Sequence, residues 1–185
     1  RYNDLGEGES LGDTMLPLLS DYGKLARMND YLRERNVFLA IKIHNYSVFK
    51  PVSYTNIKLY TTDEFEKEDI QLYEFVKEFD ALLTDYSSIY FDYLLLDRPI
   101  GFTLDDYESY LTNRGFSVES ALEFMPGHHI YDLQGLFDFV DDVVNGRDAY
   151  RDERHRVNDW CNQYQGDNNC LRLLEFVGIT KGQTE

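Results

Sequence analysis

Apolar and polar positions along the chain fall into blocks whose period separates helices from strands. Residues 3–12, rich in Gly, Asp, Glu and Asn, read as a loop. After it Met15, Leu18, Leu19, Tyr22, Leu25, Met28 and Leu32 recur at helical spacing. That spacing predicts a helix capped by Asp13 or Thr14 and running to about Arg35. The short apolar run 37–43 suits a buried strand, residues 44–55 read as a loop around Pro51, and 57–60 form a second, weaker strand. Residues 69–79 carry Ile70, Leu72, Tyr73, Phe75 and Val76 at helical spacing. A third apolar strand at 81–84 breaks into Asp85-Tyr86-Ser87-Ser88, and 89–96 then resume a helical pattern. A fourth strand falls at 99–102 and a last one at 129–131. Between them, 104–127 read as irregular and polar-aromatic, and helices at about 133–145, 150–164 and 167–177 close the chain.

Strands that alternate with helices predict a parallel sheet covered by helices on both faces. We find no internal repeat, low-complexity tract or interdomain linker, so residues 1–185 read as one α/β domain with closing helices over 150–185. A hydrophobic share of 43% is enough to build a core. The apolar runs, such as Leu94-Leu95-Leu96, are far too short to span a bilayer. The opening Arg1-Tyr2-Asn3-Asp4 lacks an initiator Met and a signal peptide, and reads as the start of an excised piece. A net charge of −16 repels phosphate backbones and anionic lipid, which excludes nucleic acid as a partner of this chain. A phosphorylated ligand therefore needs a local pocket that runs against the global field. Cys161 and Cys170, nine apart, match no metal-ligand spacing and read as free thiols of a reducing cytoplasm.

In open α/β sheets, ligands sit beyond the carboxyl ends of the strands. One segment there is Thr84-Asp85-Tyr86-Ser87-Ser88. Its two hydroxyls and the amides of the following helix start could hold an anion. Taken alone, the same residues read somewhat more readily as a helix cap with an Asp tying down the turn. Lys42-Ile43-His44 leaves a strand for a loop, where a histidine can meet a phosphate or shuttle a proton. The alternative is a hydrogen-bonded structural histidine. Arg114 is one of few cations in an acidic neighbourhood; its guanidinium suits a diphosphate, or an ion pair with Asp105, Asp106 or Glu108. Gly127, after Pro126, could admit close backbone approach to a ligand. His128-His129 lacks a third metal ligand at a recognisable spacing, and His155 sits in a charged run, 151–156, that reads as a solvated helix face.

The order of these segments carries a resemblance. The run Leu82-Leu83-Thr84-Asp85-Tyr86-Ser87-Ser88-Ile89-Tyr90-Phe91-Asp92-Tyr93-Leu94-Leu95-Leu96-Asp97-Arg98-Pro99-Ile100 resembles the signature of the CDP-glycerol glycerophosphotransferase family, the teichoic-acid polymerases and primases. Lys42-Ile43-His44, Asp105-Asp106-Tyr107 with Arg114-Gly115-Phe116, Met125-Pro126-Gly127 and the closing 156–179 resemble further family segments in the expected order. Asn45 stands where the family usually has Pro.

The resemblance implies a Rossmann-like parallel sheet with helices on both faces, the C-terminal half of a two-domain GT-B fold. That half holds a CDP-activated donor. The implied reaction moves glycerol phosphate from CDP-glycerol to a hydroxyl of a polymer or lipid-linked primer, with release of CMP. It implies His44 and Arg114 as catalytic residues, and Lys42, Thr84, Asp85, Ser87, Ser88, Gly127 and Arg172 as donor-binding residues. No carboxylate constellation demands a metal, and a divalent cation stays open. The acceptor falls to a missing N-terminal domain, so this piece alone should bind donor weakly and not turn over. The implied setting is cytoplasmic, with the full-length enzyme peripheral on the inner membrane face. Two other readings stand beside it: a GT-B half for CDP-ribitol or a nucleotide sugar, and a non-catalytic module of a polysaccharide-assembly complex.

Overall fold

In the computed structural model, residues 17–19, 22–42 and 53–179 are described. The expected helix start at Asp13 or Thr14, the loop 3–12 and His44 with Asn45 lie outside these residues.

The long first helix is two elements. A single 3-10 turn spans Pro17–Leu19, and α1 spans Tyr22–Glu34. Pro17 has no backbone N–H, so it starts a turn where the periodicity alone would carry a helix through. α1 turns Leu25, Met28 and Leu32 into the core.

β1 (Leu39–Lys42) and β2 (Ile57–Tyr60) pair in parallel, Leu39 opposite Ile57. Two short helices follow, α2 (Thr62–Lys67) and α3 (Leu72–Val76). β3 (Leu82–Thr84) leads into α4 (Ile89–Tyr93), which tightens into a 3-10 turn over Leu94–Leu96. β4 (Ile100–Thr103), α5 (Tyr107–Asn113), a 3-10 turn at Ala121–Phe124 and β5 (His128–Ile130) come next. The chain closes with α6 (Leu133–Val144), α7 (Arg151–Cys161) and α8 (Asn169–Phe176). All strand pairs among the described residues are parallel, as the alternating pattern requires. They form two hydrogen-bonded sheets, β1-β2 and β3-β4-β5, where the sequence predicts one. β3 has only three residues, and its register pairs it with β4.

The period of two along the strands sorts side chains to two cores. Leu83, Ile41, Ile57 and Ile130 join α1 and the Leu136, Phe137, Phe139 and Val140 stripe of α6. Leu82, Ile100 and Phe102 point the other way, to Tyr90, Tyr93, Leu94 and Val157. Each fully buried side chain of this size is worth about 1.5–3 kcal/mol, so the β3-β4-β5 sheet is clamped from both faces.

Three expectations need correction. Residues 104–127 are not irregular throughout, because α5 and a 3-10 turn lie within them. α2 was not anticipated; its start is a capping box in which Thr61 Oγ1 accepts from Glu64 N at 3.1 Å while Thr61 N donates to Glu64 Oε2 at 2.7 Å. The charged run 151–156 is not wholly solvated, since Arg154 is only 1% exposed. Arg154 donates to Asp148 Oδ2 at 2.6 Å and to Asp97 Oδ1 at 3.1 Å. Asp97 ends the 3-10 turn with φ +48° and also holds Arg151 and His155. This clasp ties α7 to the amino end of β4.

Candidate functional site

The carboxyl ends of β3, β4 and β5 bring three loops to one edge. At the end of β3, Thr84 is buried and its carbonyl accepts from the Thr103 hydroxyl at 3.3 Å, which joins the last residues of β3 and β4. Asp85 then closes the turn, its Oδ1 accepting from Ser87 N at 3.0 Å. The turn is therefore made by the aspartate. Ser88 occupies the residue before α4 in a helical conformation and makes no side-chain capping bond, contrary to the capping reading. Ser87 and Ser88 are both exposed.

The loop is locked to its neighbour by Tyr86. Its hydroxyl donates to Asp106 Oδ1 at 2.7 Å, and its ring lies 3.9 Å from the Tyr110 ring and 5.5 Å from that of Phe116. Two residues past α5 the chain turns at Gly115, whose φ of +68° a residue with a side chain rarely adopts. That turn lets Phe116 fold back onto Tyr86, Tyr107 and Tyr110. Arg114, exposed, is the residue that follows α5 and precedes this glycine. The aromatic cluster thus sets Arg114 and the serine loop on one scaffold. Sequence reading passed over Tyr86 and Asp106 as functional positions; an aromatic between two polar turn residues was the available signal.

Beside this scaffold lies a cleft of about 600 Å³. Asp105 and the β5–α6 turn of Tyr131 and Asp132 form one wall, and Lys24 and Arg27 of α1 reach it from the other. Asp132 caps α6, its Oδ1 accepting from Gly135 N at 2.8 Å. Arg27 sits 5.2 Å over the Phe137 ring. Lys24 and Arg27 share one face of α1, three residues apart. In a chain with 34 acidic and 18 basic residues, two cations on one helix face were the signal that could have found them.

Other expected site residues lie apart. Lys42 ends β1 with Nζ 3.5 Å from Thr62 Oγ1 and over the Phe65 ring. Gly127 is buried at the amino end of β5. A Cβ there would lie 2.9 Å from the Ile100 carbonyl carbon and closer still to its oxygen, so the close approach it permits is to a strand backbone. Arg172 stacks 4.0 Å over the Tyr164 ring and lines a groove between α7 and α8. His129 bonds the Met125 carbonyl oxygen at 3.0 Å, and His128 lies 3.3 Å from Asp142. Burial pushes the His128 pKa down against the pull of that carboxylate. Among the described residues, no three His, Cys, Asp or Glu side chains gather as a metal site would require.

Comparison with known proteins adds what geometry does not. Residues 23–178 match the model of the family described as CDP-glycerol:poly(glycerophosphate) glycerophosphotransferase. The chain is 29% identical over 148 residues to the teichoic acid glycerol-phosphate primase of Bacillus subtilis (strain 168), covering 79% of this chain and 35% of that protein. It is 32% identical over 141 residues to the enzyme of the same name in Bacillus spizizenii, covering 75% of this chain and 34% of that one. The teichoic acid ribitol-phosphate primase of Bacillus spizizenii matches at 31% over 120 residues, 62% of this chain and 29% of the relative. The chain thus spans about a third of the length of the curated relatives it matches.

Proposed function

The chain belongs to the CDP-glycerol:poly(glycerophosphate) glycerophosphotransferase family, and on that premise we propose that it forms the donor side of a polyol-phosphate transfer. The donor is CDP-glycerol and the acceptor a hydroxyl of a teichoic-acid-type polymer or lipid-linked primer. In the transfer, the acceptor oxygen bonds to the glycerol-bearing phosphorus, the bond from that phosphorus to the CMP oxygen breaks, and the acceptor proton leaves. Catalysis of this kind rests on positioning and on stabilising charge at the phosphoryl oxygens.

The observation that carries the reading is the exposed Ser87–Ser88 pair, held at the carboxyl end of β3 by the Asp85 turn and the Tyr86–Asp106 lock. Two hydroxyls without capping duty donate to phosphate oxygens. Arg114, on the same scaffold, and Lys24 and Arg27, across the adjoining cleft, offset diphosphate charge in a molecule whose net charge opposes it. His44 follows β1 by two residues and is assigned the proton-handling role. The acceptor site and any attachment to the inner membrane face belong to the remainder of the full-length enzyme. No helix among the described residues is long and apolar enough to cross a membrane.

Calorimetric titration of CDP-glycerol into the chain tests the donor site. Weak binding is expected, lowered about tenfold per hydroxyl in Ser87→Ala and Ser88→Ala, the scale of a hydrogen bond to a charged group. No heat from CDP-glycerol, CDP-ribitol or a UDP-sugar, with the fold verified by circular dichroism, overturns the reading in favour of a non-catalytic module. In the full-length enzyme, unchanged turnover in His44→Ala removes the catalytic assignment. A second donor has a specific basis: the identity to a ribitol-phosphate primase, 31% over 120 residues, lies between the 29% over 148 and 32% over 141 to the glycerol-phosphate primases. Competition between CDP-glycerol and CDP-ribitol in the same titration decides between them.

A further inference from the structure

The cleft between α1 and the ends of β4 and β5 holds chemistry that a phosphate site alone does not need. β4 and β5 run side by side into it, and just past β4 the Leu104 N–H donates to the Ile130 carbonyl at 2.7 Å. The residues that follow, Asp105 and Tyr131, are therefore neighbours on adjacent strand ends, about one strand spacing (~5 Å) apart. Both line the cleft. Tyr131 is 53% exposed, and among the described residues its side chain has no hydrogen-bonding, ionic or aromatic partner. Asp105 stands half-buried beside it. Across the cleft, Lys24 and Arg27 form no ion pair among the described residues, although the chain holds 34 acidic residues. A ring face, a carboxylate and two cations thus share about 600 Å³, within the size range of small-molecule sites.

We propose that this cleft holds the cytidine end of the donor and that Asp105 makes it selective for cytosine over uracil. The inference rests on the donor-side reading above. Tyr131 offers its face to the base, because every base stacks on an exposed aromatic ring. A base stacked there turns an edge toward the neighbouring strand end, where the Asp105 carboxylate can only accept. Cytosine presents an amino group on that edge. Uracil presents a carbonyl oxygen at the same place, and two facing acceptors lose the bond and repel. Asp132 is the poorer reader of the base, because one of its oxygens caps α6. Lys24 and Arg27 reach the phosphate next to the ribose from the opposite wall. β3, which carries the serine loop, lies two strand spacings from β5, about 10 Å away. A nucleoside diphosphate laid across the strand ends then has its base over β5 and its distal phosphate at Ser87 and Ser88.

Calorimetric titration of CDP, UDP and 2′-deoxy-CDP into the 185-residue chain tests the assignment, with the fold of each variant verified by circular dichroism. CDP should bind about tenfold more tightly than UDP, and 2′-deoxy-CDP within about twofold of CDP. Tyr131→Ala should weaken CDP and UDP alike by about tenfold, since stacking is indifferent to the base, and Tyr131→Phe should retain binding to within about twofold. Asp105→Asn introduces an amide that both donates and accepts, so CDP and UDP should then bind within about twofold of each other. Equal affinity for CDP and UDP in the unaltered chain, or a preference that survives Asp105→Asn, overturns the selectivity. A penalty for 2′-deoxy-CDP that disappears in Asp105→Asn overturns it in favour of ribose recognition. Unchanged CDP affinity in Tyr131→Ala, with CDP-glycerol binding still weakened by Ser87→Ala, overturns the cleft assignment and leaves the donor-side reading standing. No binding of CDP, UDP or CDP-glycerol overturns both.

Discussion

The two ends of the β3-β4-β5 sheet use the same kinds of residue for opposite ends. At the amino end, charge is buried and paired. Arg154 sits between Asp148 and Asp97, and Gly127 packs its backbone against Ile100. At the carboxyl end, hydroxyls and cations are aimed outward. Ser87, Ser88, Arg114, Lys24 and Arg27 are exposed, and Asp85 and Tyr86 hold the loop that carries the two serines. Buried, paired polar groups hold a structure, and exposed ones on a rigid support are accessible to a ligand. The comparison predicts that mutations at the amino end cost stability without touching the ligand, and that mutations at the carboxyl end do the reverse.

The largest effect is expected at Arg154. Replacing it with Leu leaves Asp97 and Asp148 facing each other without their shared cation. Loss of one partner from a buried ion pair costs about 3–5 kcal/mol, and the partial exposure of both aspartates places this case near about 3 kcal/mol. Urea unfolding measures it. The pH dependence sharpens the test. The Arg154 hydrogen bond holds the Asp148 carboxyl below its ordinary value. Burial works against Asp97, but the bonds from His155, Arg151 and Arg154 outweigh it and lower that carboxyl too. Folded values below unfolded ones mean that this stability is full above the ordinary carboxylate range and is lost as pH falls through the lowered values. In Arg154→Leu the acid-side loss should be shallower. An unchanged acid profile would show that the clasp does not set it.

Gly127→Ala should cost less, about 1–3 kcal/mol, the range for forcing a methyl into filled space. The added carbon meets the Ile100 carbonyl, and the strand backbone yields less readily than a side chain. Donor affinity of the folded protein should be unchanged. A loss of affinity with little loss of stability would return Gly127 to the donor site that the family resemblance implies.

Much of this contrast was legible in the sequence. Strand positions could be read to within a residue or two, because apolar runs bounded by Pro, Gly and polar turns leave few alternatives. β4 at Ile100–Thr103 and β5 at His128–Ile130 are examples. α2 was legible but overlooked: Thr61 and Glu64 spell its capping box. α5 was not legible, because Tyr107–Asn113 has no long apolar stripe and is held instead by the ring of Tyr86, distant in sequence, and by that of Phe116, which folds back just after the helix. Nor was the burial of Arg154, whose neighbours 151–156 are charged. Only the fold brings Asp97, 57 residues away, beneath it. At the candidate site, the position of the serine loop between a strand and a helix was legible. The cleft that sets Lys24 and Arg27 opposite Asp105 depends on how α1 lies across the strand ends, which no local pattern encodes.

The smallest change is the most informative about the carboxyl end. Tyr86→Phe keeps the ring that stacks on Tyr110 and removes only the hydroxyl that donates to Asp106. One hydrogen bond of this kind contributes about 1 kcal/mol, so urea unfolding should register little. Asp106 would then stop tying the serine loop to α5, and the loop would sample positions in which Ser87 and Ser88 no longer meet the proposed donor phosphate together. Donor affinity should fall about threefold, equivalent to about 0.7 kcal/mol. If Tyr86→Phe instead lowers stability and leaves CDP-glycerol affinity untouched, Tyr86 and Asp106 are a clasp like Arg154 and Asp148. The carboxyl end would then differ from the amino end in exposure alone. If affinity falls while stability holds, the lock exists to position the loop, because strain-free folding does not require it.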